Sequence, residues 1–178
     1  MMDLPNTATD DQALNRRQLL GAAGLLALAG GSAMLWTGAG GAQDHVNRNA
    51  FPFRLTDAEW RRRLTPMQYY VLRQAGTERP YSHPLNRERR SGTYVCAGCA
   101  LPLFASRTKF DSGTGWPSFT APLANAVRTS TDQVLGYPRT EVHCRRCGGH
   151  QGHVFDDGPA PTGQRWCING AALRFVAA

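Results

Sequence analysis

Apolar positions fall along the chain in three successive patterns. From Gln18 to Gln43 there is no charged residue, and the run is rich in Gly and Ala and only weakly hydrophobic. From Thr56 to Gly76 the pattern is that of short helices. Thr56-Asp57-Ala58-Glu59 is a capping box, and it starts a helix through Trp60 and Leu64. Thr65-Pro66-Met67-Gln68 is a second one, with proline at the first helical position. The helix over 66–75 is expected to bury Met67, Tyr70 and Val71 and to stop at Gly76. After a proline-containing loop over Thr77–Ser91, short apolar or β-branched runs begin: Thr93-Tyr94-Val95, Leu103-Phe104, Ala126-Val127, Thr140-Glu141-Val142, His153-Val154-Phe155, Trp166-Cys167-Ile168 and Leu173–Val176. Gly, Pro, Asn and Asp separate them, which is the punctuation of an antiparallel β domain with short strands.

The first pattern is set apart from the other two. A polar start ending in Asn15-Arg16-Arg17, an apolar core and a small-residue tail together read as an export signal over 1–42, with cleavage after Ala42. The paired arginines before Gln18-Leu19-Leu20 resemble the twin-arginine signal, which carries a folded protein across a membrane to the periplasm. A retained membrane anchor over 18–42 is the alternative, since the uncharged stretch is long enough to span. Seven glycines between 21 and 41 make it a poor span. Residues 43–55 read as a linker and 56–178 as the folded domain.

Composition adds little. The 178 residues are 42% hydrophobic and 19% charged, a globular balance rather than a disordered one. The net charge of +7 comes from 20 Lys and Arg against 13 Asp and Glu, but the arginine runs are short and scattered. A nucleic-acid surface would concentrate them with interleaved aromatics, so solvated surface is the simpler reading.

The cysteines add more. Five is odd, so a fully paired disulfide framework is excluded. Cys96-Ala97-Gly98-Cys99 and Cys144-Arg145-Arg146-Cys147 form two CxxC pairs, each able to present two sulfurs to one ion. Four thiolates are the tetrahedral set of a structural Zn²⁺ site, and a closed set leaves no position for catalysis. Gly98 and Gly148 are expected to relieve the two turns sterically. Two disulfides or a redox CxxC are the alternatives, the latter weakened by the lack of a βαβ helix after either pair.

Cys167 is left over, as a buried small side chain or as a reactive thiol. In a strand, Arg165, Cys167 and Asn169 share one face, and a guanidinium beside the sulfur favours the thiolate. His150-Gln151-Gly152-His153 is expected to place two imidazoles either side of a glycine turn, which makes a proton donor plausible.

These residues carry a resemblance. Lys109-Phe110-Asp111-Ser112-Gly113-Thr114-Gly115-Trp116-Pro117-Ser118-Phe119 resembles the signature segment of peptide methionine-R-sulfoxide reductases of the B type. So do His150–Pro159 and Thr162-Gly163-Gln164-Arg165-Trp166-Cys167-Ile168-Asn169, and the likeness runs from about Thr56 to Phe175. It implies a mainly β fold of two small antiparallel sheets with short N-terminal helices. It implies a structural zinc on Cys96, Cys99, Cys144 and Cys147, with Cys167 as nucleophile. His150, His153 and Asn169 become the polar groups around the sulfoxide, Trp116 the aromatic that holds its methyl group, and Arg165 the arginine beside the nucleophile.

The expected substrate is a protein or peptide methionine sulfoxide, the expected partner a thioredoxin-like or other thiol reductant, and the expected state a monomer that binds no nucleic acid. Three positions depart from the family pattern. Thr114 stands where many members carry a resolving cysteine, Gln151 where leucine is usual and Gly170 where serine is usual. With no sixth cysteine, the oxidised Cys167 is expected to be reduced directly by an external thiol. The competing readings are a non-catalytic zinc β module that binds a protein or small ligand, and a zinc-ribbon nucleic-acid binder.

Overall fold

A computed structural model describes Asn47 and residues 50–178; the stretch read as an export signal and the first part of the linker lie outside the described residues. Both capping boxes form as expected. Helix α1 (Asp57–Arg63) is capped by Thr56, whose side chain accepts from the Glu59 amide while Glu59 reaches back to the Thr56 amide. Helix α2 (Pro66–Gln74) is capped the same way by Thr65 and Gln68. The buried face of α2 differs from expectation. Val71 and Leu72 are buried, whereas Met67 and Tyr70 are nearly half exposed. The helix ends through Ala75 in the left-handed conformation, not at Gly76. Gly76 instead lies beneath the Tyr70 ring, where a Cβ would come within 2.2 Å of it.

The strands form two antiparallel sheets. The smaller has the order β2 (Pro102–Ala105), β1 (Gly92–Cys96), β9 (Leu173–Ala177). The larger runs β3 (Lys109–Phe110), β4 (Ser118–Phe119), β8 (Arg165–Ile168), β7 (His150–Phe155), β6 (Arg139–Cys144), β5 (Val127–Asp132). Strands β3 and β4, two residues each, are too short to leave a periodic signal in the sequence. The sheets share an aromatic core. Phe104 stacks on Phe119 at 4.4 Å between ring centroids, and Tyr94 meets Phe119 edge-on at 4.9 Å. Such pairs contribute about 0.5–1.5 kcal/mol each beyond their burial.

The segment read as a linker joins the fold at its end. Phe51 is buried against Gly148, and the Phe53 amide donates to the Arg146 carbonyl at 2.9 Å.

Candidate active site and metal centre

Each CxxC pair begins at the end of a strand and turns the chain back. Cys96 closes β1 and Cys144 closes β6. The Cys96 carbonyl accepts from the Ala100 amide at 2.8 Å, and the Cys144 carbonyl from the Gly148 amide at 2.9 Å. The left-handed residue is the fifth of each turn, Ala100 (φ 60°) and Gly148 (φ 67°). Gly98 therefore does not serve the turn as expected; it is a docking slot. A Cβ there would press on Trp60 at 3.3 Å, and one at Gly149 would meet Leu72 at 2.9 Å. The two helices seat Trp60 and Leu72 on the two knuckles, which explains why α2 buries Leu72 rather than Met67.

The four buried sulfurs lie within 4.8 Å of one another, with Cys96–Cys147 at 3.7 Å and Cys99–Cys144 at 3.5 Å. Tetrahedral coordination at about 2.3 Å per Zn–S bond sets sulfurs roughly 3.8 Å apart, so the set fits one zinc ion. Arg63, Arg73 and Arg146 donate to the carbonyls of Gly98, Cys147 and Cys99. Three guanidinium groups thus lie beside the cluster, where they would offset the excess negative charge of four thiolates on one divalent cation.

Cys167 stands elsewhere, on the polar face of the larger sheet. Residues directly opposite in antiparallel strands point to the same side. The register Ser118–Cys167–His153–Glu141–Ser130 runs across five strands and forms one polar row. The adjacent row, Phe119–Trp166–Val154, faces the core.

His150 belongs with His153 because β7 is bulged, not because the chain turns. Val142 pairs with Gly152 and His143 with His150, which leaves Gln151 as the extra residue. In a regular strand, residues three apart face opposite sides; the bulge brings the His150 and His153 rings to 5.4 Å. Gly152 (φ 152°) is required here, since a Cβ would lie 2.1 Å from the Cys167 carbonyl oxygen.

Two carboxylates missed in the sequence hold the imidazoles. His150 Nδ1 bonds the Glu141 carboxylate at 2.5 Å, and His153 Nε2 bonds Asp132 at 2.7 Å. His150 Nε2 is buried without a partner. Burial alone would raise the Glu141 carboxyl, but hydrogen bonds from His143 and His150 outweigh it and hold it well below the usual range. Burial also works against charge on His153 and lowers its pKa, against the pull of Asp132. The one sequence clue to Glu141 was an acid inside a β-branched run.

Burial likewise pushes the Cys167 thiol up, although the Thr114 hydroxyl, the Arg165 charge and the Ser118 hydroxyl all act to lower it. The Arg165 guanidinium thus pulls toward the thiolate as expected, but burial opposes it more strongly. That guanidinium is held by Asp157 through two bonds of 2.8 Å and lies over the Phe155 ring. Thr114 Oγ1 is 3.9 Å from Cys167 Sγ. Beside them opens a cleft of about 480 Å³, lined in part by Phe110, Ser112, Thr114, Asp157 and Arg165.

Trp116 and Asn169 are both tied to Glu78, in the loop that offered no sequence signal. The Trp116 indole donates to the Glu78 carbonyl at 3.1 Å, and the Glu78 amide donates to Asn169 Oδ1 at 3.0 Å. Asn169 also donates twice to the Gln151 carbonyl, from its backbone and side-chain nitrogens. The two other departures from the family pattern have local counterparts. Gly170 lies against the His83 ring, which a Cβ would meet at 2.5 Å. Gln151 is fully buried and donates to Cys96 Sγ at 3.8 Å and to the Gly149 carbonyl at 3.2 Å.

Fold and site together define an antiparallel β domain that carries a free thiol on its polar face and, apart from it, a four-cysteine cluster able to hold a metal ion. Residues 64–177 match the SelR domain family. The chain is 56% identical over 120 residues to the peptide methionine sulfoxide reductase MsrB of Bradyrhizobium diazoefficiens, spanning 67% of this chain and 86% of that protein. To the protein of the same name from Agrobacterium fabrum it is 53% identical over 121 residues, 67% of this chain and 90% of that one. For the one from Thiobacillus denitrificans the figures are 55% over 121 residues, 67% and 92%. The chain belongs to the SelR-domain family of peptide methionine sulfoxide reductases.

Proposed function

We propose that this enzyme reduces the R epimer of methionine sulfoxide in peptides and proteins, with Cys167 as nucleophile. The observation that carries the reading is the polar row that sets Cys167 beside His153, with His150 brought alongside by the bulge. Burial disfavours charge on the Cys167 thiol and on the His153 imidazole. Substrate binding lets the proton pass from Cys167 to the His153 imidazole across the register, leaving a thiolate. The thiolate attacks the sulfoxide sulfur while the imidazolium protonates its oxygen, an otherwise poor leaving group. Proton transfer of this kind contributes roughly 10²–10⁴-fold.

The oxygen ends on Cys167. The sulfide leaves reduced by two electrons, and the cysteine becomes a sulfenic acid, oxidised by two. An external thiol entering by the Thr114 cleft then condenses with the sulfenic acid and releases water. A second thiol frees Cys167 and leaves the external pair as a disulfide. Trp116 holds the methyl group and Asn169 the polar side of the sulfoxide, so the opposite epimer would aim its oxygen at the indole. One zinc ion on Cys96, Cys99, Cys144 and Cys147 supplies a structural cross-link. We place the enzyme outside the cytoplasm, acting on oxidised exported proteins, on the strength of the twin-arginine-like stretch. A non-catalytic binding module would need none of Cys167, the histidine pair or Trp116.

The test is the purified full chain given epimerically pure methionine-sulfoxide peptides and a dithiol. Reduction of the R epimer alone is expected; equal turnover of both, or of neither, overturns the reading.

A further inference from the structure

Glu78 is 4% exposed and lies in a loop remote in sequence from every site residue. All of its polar groups are spent on the site. Its carboxylate accepts from the Gly170 and Ala171 amides at 2.5 and 2.8 Å. Its own amide donates to Asn169 Oδ1, and its carbonyl accepts from the Trp116 indole. A lone buried carboxylate is costly unless its lone pairs are met by hydrogen bonds. Here the two amides that follow Asn169 meet them, so the same contact that makes burial tolerable fixes where residue 78 sits. The Glu78 backbone then accepts from the Trp116 indole and donates to the Asn169 side chain. Tyr81 continues the strap, its amide donating to the Gly115 carbonyl at 2.7 Å, directly before Trp116.

We propose that Glu78 is a positioning residue for substrate: its carboxylate anchors a strap that sets the spacing between Trp116 and Asn169, and so the width of the slot between methyl and sulfoxide oxygen. The proposal rests on the functional reading of those two residues. Glu78 touches no substrate. Its effect is geometric, and a displacement of order 1 Å in a substrate-positioning group can cost roughly 10²-fold.

The experiment compares full-chain E78A and E78Q with wild type and with W116F and N169A. E78A is expected to raise KM and to lower kcat/KM about 10- to 100-fold. Its zinc content should stay at the wild-type value. The Trp116 indole N–H resonance, assigned by its loss in W116F, should shift and exchange faster with solvent. E78Q keeps the shape and one acceptor, and should recover part of both. An E78A protein with wild-type KM and an unmoved Trp116 indole resonance overturns the proposal. If E78A does not fold, wild-type hydrogen exchange decides: the Trp116 indole and the Gly170 and Ala171 amides must be protected, and exchange at the free-indole rate overturns it. Should W116F and N169A both reduce sulfoxide as well as wild type, the functional reading falls, and the strap is then judged on the indole signal and exchange alone.

Discussion

The molecule uses cysteine twice, in opposite ways. Cys96, Cys99, Cys144 and Cys147 are assembled from two local turns, each specified by a spacing of three and a left-handed fifth residue. Cys167 is assembled from far away: its neighbours arrive from β4, β7 and the 112–116 loop, and their identities follow from register. A metal centre of the first kind is a property of short segments brought together once. A site of the second kind is a property of the whole sheet, and it moves if any strand slips by one residue.

That contrast can be broken by substitution. The largest effect is expected at the knot. Cys144→Ser should lose both the metal and the fold, since zinc coordination in such sites carries about 10–16 kcal/mol, against a typical net stability of about 5–15 kcal/mol. Elemental analysis and circular dichroism check it, and a folded, zinc-loaded Cys144→Ser protein would contradict it. Cys167→Ser comes next. It should abolish turnover yet leave zinc content and melting temperature near wild type, because Cys167 bears none of the metal. Residual turnover above background sinks its role as nucleophile.

The third variant transfers a feature between the two kinds of site. Thr114→Cys places a sulfur where an oxygen lies 3.9 Å from Cys167 Sγ. After one turnover without reductant, mass spectrometry should find a 114–167 disulfide in the variant and a trappable sulfenic acid in wild type. If wild type instead forms a disulfide from Cys167 to one of the four knot cysteines and releases zinc, direct reduction by external thiol is wrong. The smallest effect concerns charge. Asp157→Asn frees the Arg165 guanidinium to act on the sulfur, so Cys167 alkylation at fixed pH should quicken as its thiol pKa falls. In wild type the alkylation rate should still be rising with pH at the ordinary thiol value of 9.0, because burial raises Cys167. The four knot cysteines should stay unreactive throughout.

The same contrast explains what the sequence disclosed. Both capping boxes, both knuckles and seven strands were legible because each is a local pattern of a few residues. Strands β3 and β4 were not, being two residues long. The buried face of α2 was misjudged because the choice between Tyr70 and Leu72 is made by Gly149, nearly eighty residues on, which leaves room for Leu72. Cys167, Asn169 and the two histidines were singled out from the leftover cysteine and its neighbours, the family resemblance added Trp116 and the roles, and the structure brings Cys167 and the two histidines onto one face. Glu141, Asp132, Asp157 and Glu78 escaped because a supporting carboxylate has no fixed spacing from the group it supports. Arg165 was seen, and it pulls on the thiol in the expected direction, but neither Asp157 nor the burial of Cys167 that opposes the pull can be read from neighbouring letters.

The bulge at Gln151 has a consequence for anyone who would rebuild this chemistry. Along β7 it acts as a change of phase, so that two imidazoles separated by an odd count come into step. A designer who copied only the side chains onto an ideal sheet would send His150 to the far side of the layer. What has to be transplanted is the irregularity itself, together with the bare Gly152 that lets the next strand close over it.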